Sequence, residues 1–266
     1  MVNLTPPEPH PSDNPVEKSL NAASGLGPRN PYFRLSKTLT YSYLFVLPLI
    51  ILYEIGMWLL NAGAPTQVRI GADIMVKRLL SFVGIEGTLW LSALLLAIGA
   101  GIIWYERRLD LPIRPRYFAF MFGESAGYGI VIGLLVASFV STLFSLTWPP
   151  ALQMAGAVST SQQLVLSLGA GIYEELVFRL ILVTLLVALL KLIIKPGNLS
   201  YGIAAVIGAL IFSAVHYIGS LGDVFTLQSF TFRFLMGLAL NGIFLWRGFG
   251  IAAMTHALFD VFVTLT

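Results

Sequence analysis

GIYEELVFR, residues 171–179, sets two adjacent acids and a base inside an apolar run. Between Tyr117 and Lys191 the only other Asp, Glu, Lys, Arg or His is Glu124. A run of this kind is either a soluble core or a membrane segment, and the rest of the chain decides which. Of 266 residues, 57% are hydrophobic and 11% are charged. A soluble domain carries about 25% charged residues. Mean hydropathy is +0.83, and several runs reach the roughly 20 apolar residues that cross a bilayer. The expected fold is therefore all-α, a polytopic transmembrane helical bundle of about seven or eight spans.

The apolar spans fall at 39–60, 88–105, 118–147, 162–194, 200–219, 230–246 and 248–265. Residues 66–84 are amphipathic and are expected to lie on the interface or to re-enter. Residues 1–31 are rich in Pro, Ser and Asn. They read as a disordered tail without the pattern of a cleaved signal peptide. This divides the chain into a tail (1–31), N-terminal transmembrane helices (32–160) and a second helical block (161–266) that holds the charged motif. There is no cysteine, which excludes thiol nucleophiles, disulfides and cysteine metal sites. The net charge of +3 comes mostly from loop Lys and Arg and does not point to nucleic acid.

Those basic residues orient the chain. Arg29, Arg34 and Lys37 precede the first span, and Arg107, Arg108, Arg114 and Arg116 follow the second. Lys191 and Lys195 close the fourth, and Arg247 closes the sixth. In an alternating seven-span chain all lie on one side, which the positive-inside rule makes cytoplasmic, together with the N-terminus. Arg69, Lys77 and Arg78 in the loop 61–87 count against this, and a crossing at 66–84 would reverse the N-terminus. The expected location is the plasma (inner) membrane, as an integral multi-pass protein.

A charge at the bilayer centre costs roughly 2.5–3.5 kcal/mol on insertion scales. Three unpaired charges would cost about 8–10 kcal/mol, comparable to the whole stability of a typical protein. They must be paired, protonated or wet. Glu175 and Arg179 are i and i+4, so one helix face carries both and they can pair. Glu174 is rotated about 100° away and is left without that partner. A carboxylate free to take and give a proton is what general acid–base chemistry uses. The plainer reading is an ion pair that only fixes helix packing.

Three histidines occur. His10 lies in the tail. His216 ends the fifth span in FSAVHYIG, and His256 sits inside the last span in MTHALFD with Asp260 four residues on. A single His in an apolar helix is usually a packing residue, but two His, two Glu and an Asp on three spans are harder to bury apart than together. Clustered, they would hold a water against a carboxylate, or bind a divalent metal through Glu174, His216 and His256. The HExxH helix of the common zinc proteases is absent.

The ordered set Glu174-Glu175-x-x-x-Arg179, Phe212-x-x-x-His216 and His256-x-x-x-Asp260 resembles the CAAX protease and bacteriocin-processing (CPBP/Abi) family of intramembrane proteases, with a type II CAAX prenyl endopeptidase-like pattern. The stretch FRFLMGLALNGIFLWRGFGIAAMTHALFD is also similar to its C-terminal region. The likeness covers about residues 165–262. It implies that 161–266 is a catalytic core with its site in an intramembrane cavity, cleaving peptide bonds of a membrane-associated or lipidated substrate. It implies that Glu174 and His216 activate water. His256 and Asp260 would position substrate or stabilise the oxyanion, and Glu175 and Arg179 would hold the Glu helix. Family members are described both as metalloproteases, with zinc the natural candidate, and as metal-free glutamate proteases. Asn often stands where this chain has Asp260, and an ionised Asp does not donate a hydrogen bond. Asp260 is therefore protonated, or orients His256, or helps bind a metal.

Two further motifs compete. GESAG (123–127) matches G-x-S-x-G, but its flanks read as membrane helix rather than a strand-to-helix turn. Its small residues are expected to serve close helix packing, with a serine intramembrane protease using Ser125 and a His as the minor alternative. Glu124 is read as a buried acid near the cytoplasmic end, within snorkelling reach of the surface. GSLGD (219–223) reads as a loop. The remaining functional alternatives are a non-catalytic immunity or scaffold protein and a small proton-coupled transporter, although no repeated half is visible.

Overall fold

The structure is a computed structural model that describes residues 31–62, 71–74, 76, 90–145, 159–194, 198–219 and 222–266. The described residues form helices and the loops between them. We number the helices α1 (Pro31–Leu35), α2 (Leu39–Asn61), α3 (Trp90–Glu106), α4 (Pro115–Leu143), α5 (Thr160–Ile193), α6 (Asn198–Val215), α7 (Leu227–Arg247) and α8 (Phe249–Leu265). Each of the seven expected apolar spans has its helix. Five of them, α2, α4, α5, α6 and α7, are long and apolar enough to cross a membrane, and α8 is a shorter apolar helix. Residues 1–30 and most of 66–84 lie outside the described residues.

Local chemistry sets the helix ends. Thr38 caps α2, accepting from the Tyr41 N–H at 3.4 Å. Glu106, at the far end of α3, accepts from the N–H groups of Leu39 (3.2 Å) and Thr40 (2.8 Å). A carboxylate there satisfies donors that have no intrahelical partner and sits at the positive end of the helix dipole. Pro115 opens α4, where a missing N–H costs nothing. Ser159 and Gln162 form a capping box at the start of α5. Gly248, at φ 90°, separates α7 from α8 by a single residue in a conformation that side chains rarely adopt.

Outward faces are apolar. Trp58 is 72% exposed, with Leu59, Ile51, Leu135 and Leu185 among its like. In water such a surface would aggregate; against lipid tails it is the expected exterior. The interior is partly polar. Tyr41, Tyr53, Met57, Met121, Ile172, Tyr173, Leu240 and Ile251 pack in the central cluster, while Glu175, Arg179 and Arg247 are wholly buried. Gly171 makes the contact between α5 and α8 possible, because a Cβ there would stand 2.5 Å from the Ala253 carbonyl oxygen and 2.6 Å from the Ala257 Cβ.

Helix α5 departs from the expected regular winding. Its middle, Ala170–Val183, is π-helical. The turn widens so that i→i+5 bonds replace i→i+4, a deviation that often marks functional sites. The Thr184 hydroxyl donates to the Arg179 carbonyl five residues back at 3.4 Å. The widened stretch carries the whole Glu-Glu-x-x-x-Arg motif.

Glu124 is a second correction. It does not reach out to solvent. Arg247 donates to it through Nε and through Nη2 (2.8 Å), Tyr128 donates from its hydroxyl at 2.9 Å, and Tyr32 in α1 is also a donor. Arg247 Nη2 continues to Ser36 Oγ at 3.0 Å. Helices α1, α4 and α7 are thus tied at one end of the bundle. Ser125 packs against α8, with its Oγ 3.5 Å from the Ile251 carbonyl oxygen. GSLGD runs through the α6–α7 loop, where its described residues carry a 3.2 Å bond from the Gly222 N–H to the Gly219 carbonyl.

Candidate active site

Three helices deliver the polar residues to one place. The π-helical part of α5 brings Glu174, Glu175 and Arg179; the end of α6 brings Phe212 and His216; the middle of α8 brings His256 and Asp260. All of the expected site residues meet. Their exposure is graded. Glu175 and Arg179 are at 0%, His256 at 8%, Glu174 at 12%, His216 at 23% and Asp260 at 30%. The ion pair is therefore the floor of the site, and His216 and Asp260 form its rim.

At the floor, Arg179 Nη1 stands 2.9 Å from Glu175 Oε1. No guanidinium nitrogen of Arg179 has hydrogen-bond geometry with a described residue. Its charge is met by the Glu175 carboxylate and by the face of Phe212, whose ring centroid is 4.2 Å from Cζ. That is a desolvated cation–π contact, which is worth most in an interior. The same Phe212 ring meets His216 edge-on at 4.8 Å and His256 at 6.3 Å. The phenylalanine of the Phe-x-x-x-His motif thus packs against both histidines and the arginine.

Hydrogen bonds orient the two imidazoles. His216 Nδ1 is 2.7 Å from the Phe212 carbonyl oxygen. A carbonyl only accepts, so Nδ1 carries the hydrogen and Nε2 is turned to the site. His256 Nδ1 is 2.7 Å from Glu175 Oε1, so it donates to the carboxylate and also presents Nε2. Fixing a histidine by the bond its other nitrogen makes is the usual way a protein chooses the working nitrogen. His256 Nε2 lies 3.5 Å from Asp260 Oδ2.

Glu174 Oε2 faces both presented nitrogens, 3.8 Å from His216 Nε2 and 3.9 Å from His256 Nε2. These gaps exceed a direct hydrogen bond. They are short enough for one water to touch the carboxylate and an imidazole together. Glu174, His216 and His256 are the residues that would hold a metal. Among the described residues no group of three His, Asp or Glu side chains has the placement a metal ion needs.

Several polar residues at the margins carry no sequence motif. Arg233 of α7 donates to the Tyr217 hydroxyl and Ser229 Oγ and pairs with Asp223, all beside His216. On the other side of α5, the Tyr173 hydroxyl donates to Glu54 Oε1 at 3.0 Å and the Tyr53 hydroxyl to Asp73 Oδ2 at 3.1 Å. Glu54 and Arg233 each interrupt an apolar span, and that interruption was the available signal.

A bundle of apolar helices around a buried Glu, His and Asp cluster defines an integral membrane protein with a polar site between its helices. Residues 156–262, which hold the entire cluster, match the model of the type II CAAX prenyl endopeptidase Rce1-like family. The match covers less than half of the 266 residues and makes this part of the chain similar to that family of membrane proteases. No curated protein and no solved structure matches the chain.

Proposed function

We propose that the protein is an intramembrane endopeptidase that hydrolyses a peptide bond of a membrane-associated or lipidated substrate with a water activated by Glu174 and His216. The observation that carries this reading is the convergence of Glu174 Oε2 on the Nε2 atoms of His216 and His256, at 3.8 and 3.9 Å. A water held there is within reach of a general base. As its oxygen bonds to the scissile carbonyl carbon, its proton passes to Glu174. The carbonyl oxygen becomes an oxyanion. His256, which donates from Nδ1 to Glu175, carries a second hydrogen on Nε2 as the imidazolium, and that N–H is the donor placed to stabilise the oxyanion. Asp260 and Glu175 hold that imidazole from two sides. The C–N bond then breaks as the leaving nitrogen takes a proton from the Glu174 and His216 pair. Arg179 keeps Glu175 charged and still.

The exposed rim supports an assignment of sides. The basic end of the bundle holds Arg34, Lys37, Arg107, Arg114 and Arg247, joined by the bonds of Glu106, Tyr41 and Glu124 across helices. His216, Asp223 and Arg233 lie toward the opposite ends of α6 and α7. With the basic end in the cytoplasm, the rim opens toward the other face of an inner membrane.

The test uses purified wild type, Glu174→Ala and His216→Ala in detergent. Each is given a lipidated CAAX-like peptide and a library of membrane peptides, and fragments are read by mass spectrometry. Cleavage by wild type and none by two equally folded variants is the expected result. Unchanged cleavage by Glu174→Ala would remove this mechanism.

A further inference from the structure

Arg233 lies in the second turn of α7 at the rim of the site and is 16% exposed. Its Nη1 donates to the Tyr217 hydroxyl at 2.8 Å and to Ser229 Oγ at 2.7 Å. Its Cζ stands 5.2 Å from the Tyr217 ring centroid, and Tyr217 itself donates to Ser229 Oγ at 2.8 Å. The guanidinium plane is therefore gripped along one edge. Its Nη2 is ion-paired with Asp223.

Each neighbour ties this arginine to the proposed centre. Tyr217 follows His216 in the chain. The Asp223 N–H donates to the His216 carbonyl at 2.8 Å. Phe232, the residue before Arg233, packs its ring 6.2 Å from that of Phe259, the residue before Asp260. Arg233 is close enough for its charge to act on Asp260.

The simplest role for Arg233 would be to pin the α6–α7 loop. Tyr217 and Ser229 already do so from Nη1. The Asp223 carboxylate is 49% exposed, and an ion pair so open to water contributes little to stability. It exchanges readily. A guanidinium has five N–H donors, and the bonds to Tyr217, Ser229 and Asp223 use three. Nε–H and one Nη2–H have no partner among the described residues. That edge has the fork geometry that takes a carboxylate through two parallel bonds. Asp223 occupies part of it with one.

We propose that Arg233 is a specificity-determining residue that binds a carboxylate of the substrate at the rim, with the Asp223 side chain as its resident stand-in. The carboxylate comes from a free C-terminus or from an acidic side chain. This rests on the peptidase reading, because it places the group on a peptide lying across His216 and Asp260.

The experiment measures binding first and cleavage second. Full-length protein in detergent micelles is titrated with a fluorescent apolar peptide ending in a free carboxylate, with its C-terminal amide, and with that amide carrying one Glu. We expect the free acid to bind about tenfold or more tightly than the plain amide, the scale of a charge-assisted hydrogen bond. Arg233→Gln is expected to erase the difference and Arg233→Lys to restore part of it. Asp223→Asn, by removing the competitor, is expected to tighten the acid several-fold. Recovery of affinity by the Glu-bearing amide assigns the site to a side chain; failure to recover assigns it to a C-terminus. In cleavage the change falls on KM rather than kcat. Equal affinity for all three peptides overturns the proposal, as does a difference that survives in Arg233→Gln. If Arg233→Gln does not fold, wild type and Asp223→Asn still decide. Absence of cleavage of any peptide by wild type counts against the peptidase reading alone, since the binding comparison stands without it.

Discussion

Glu175 accepts a hydrogen bond from His256 Nδ1 at 2.7 Å through Oε1, the oxygen that Arg179 Nη1 approaches to 2.9 Å. One buried carboxylate oxygen therefore fixes a histidine on α8 and neutralises an arginine on α5. The adjacent Glu174 shares neither contact and faces the open side. Two neighbouring glutamates are separated into a holder and a reactant by which way the helix turns them.

The first expectation concerns that division. Glu174→Gln keeps the shape and removes the base, so turnover should fall by about 10²–10⁴-fold. The melting temperature in detergent should stay close to wild type, because Glu174 has no short contact to lose. A large loss of stability with proportionate loss of activity would reassign Glu174 to packing.

Glu175→Ala should behave in the opposite way. It leaves Arg179 buried without its counter-charge, which costs about 3–5 kcal/mol, and frees the His256 ring. We expect a strongly lowered thermal midpoint as well as lost turnover. Replacing both Glu175 and Arg179 by apolar residues should recover much of the stability and none of the activity. Circular dichroism melts of the two proteins make the comparison.

At the far end of the bundle, Arg247→Ala breaks the tie among α1, α4 and α7. It should lower stability by about 3–5 kcal/mol while the kcat of the folded fraction is retained. Burial, and then the Glu124 carboxylate, push the Tyr32 phenol above its ordinary value. A raised value means the folded state holds the proton more tightly. The stability this contributes is full below the unfolded tyrosine value of about 10 and is lost as pH rises through the folded one. Tyr32→Phe should flatten the alkaline limb of a stability–pH curve, and an unchanged limb would show that Tyr32 does not contribute.

The absence of cysteine gives a clean test of sidedness. Single cysteines replacing Asp223 and Arg108 should label oppositely with a membrane-impermeant maleimide. Position 223 should react in intact cells and position 108 only after permeabilisation. The reverse pattern would turn the rim toward the cytoplasm.

Metal dependence has an equally direct readout. With Glu174, His216 and His256 placed as they are, cleavage should persist after dialysis against a strong chelator, and zinc should not raise it. Loss on chelation with recovery on zinc would mean that these side chains regroup around a metal.

Much of this was legible in the residues themselves. Composition and run length imposed a helical membrane protein, because lipid offers the backbone no partners and helices satisfy their own. The pairs Glu175–Arg179 and His256–Asp260 were readable because i and i+4 share a helix face. Glu124 was misjudged for the same reason: its partner Arg247 is 123 residues away, and without that partner an acid in an apolar span is expected to seek water. Arg233 passed unnoticed because its ion-pair partner Asp223 and its ring partner Tyr217 lie outside α7, and on its own helix face it meets only the uncharged Ser229.

What the sequence by itself determined was therefore local: which segments form apolar helices, and which charges on one helix neutralise each other. The tertiary structure alone decided that Glu175 belongs to His256, 81 residues distant, and that Glu174 looks at two imidazoles at once. Helical period sets the face on which a side chain appears. The close approach of α5 to α8 at Gly171 and the π-helical widening of α5 set what that face meets. In lipid, where apolar surfaces do not discriminate between neighbouring helices, small residues and polar pairs choose the partners.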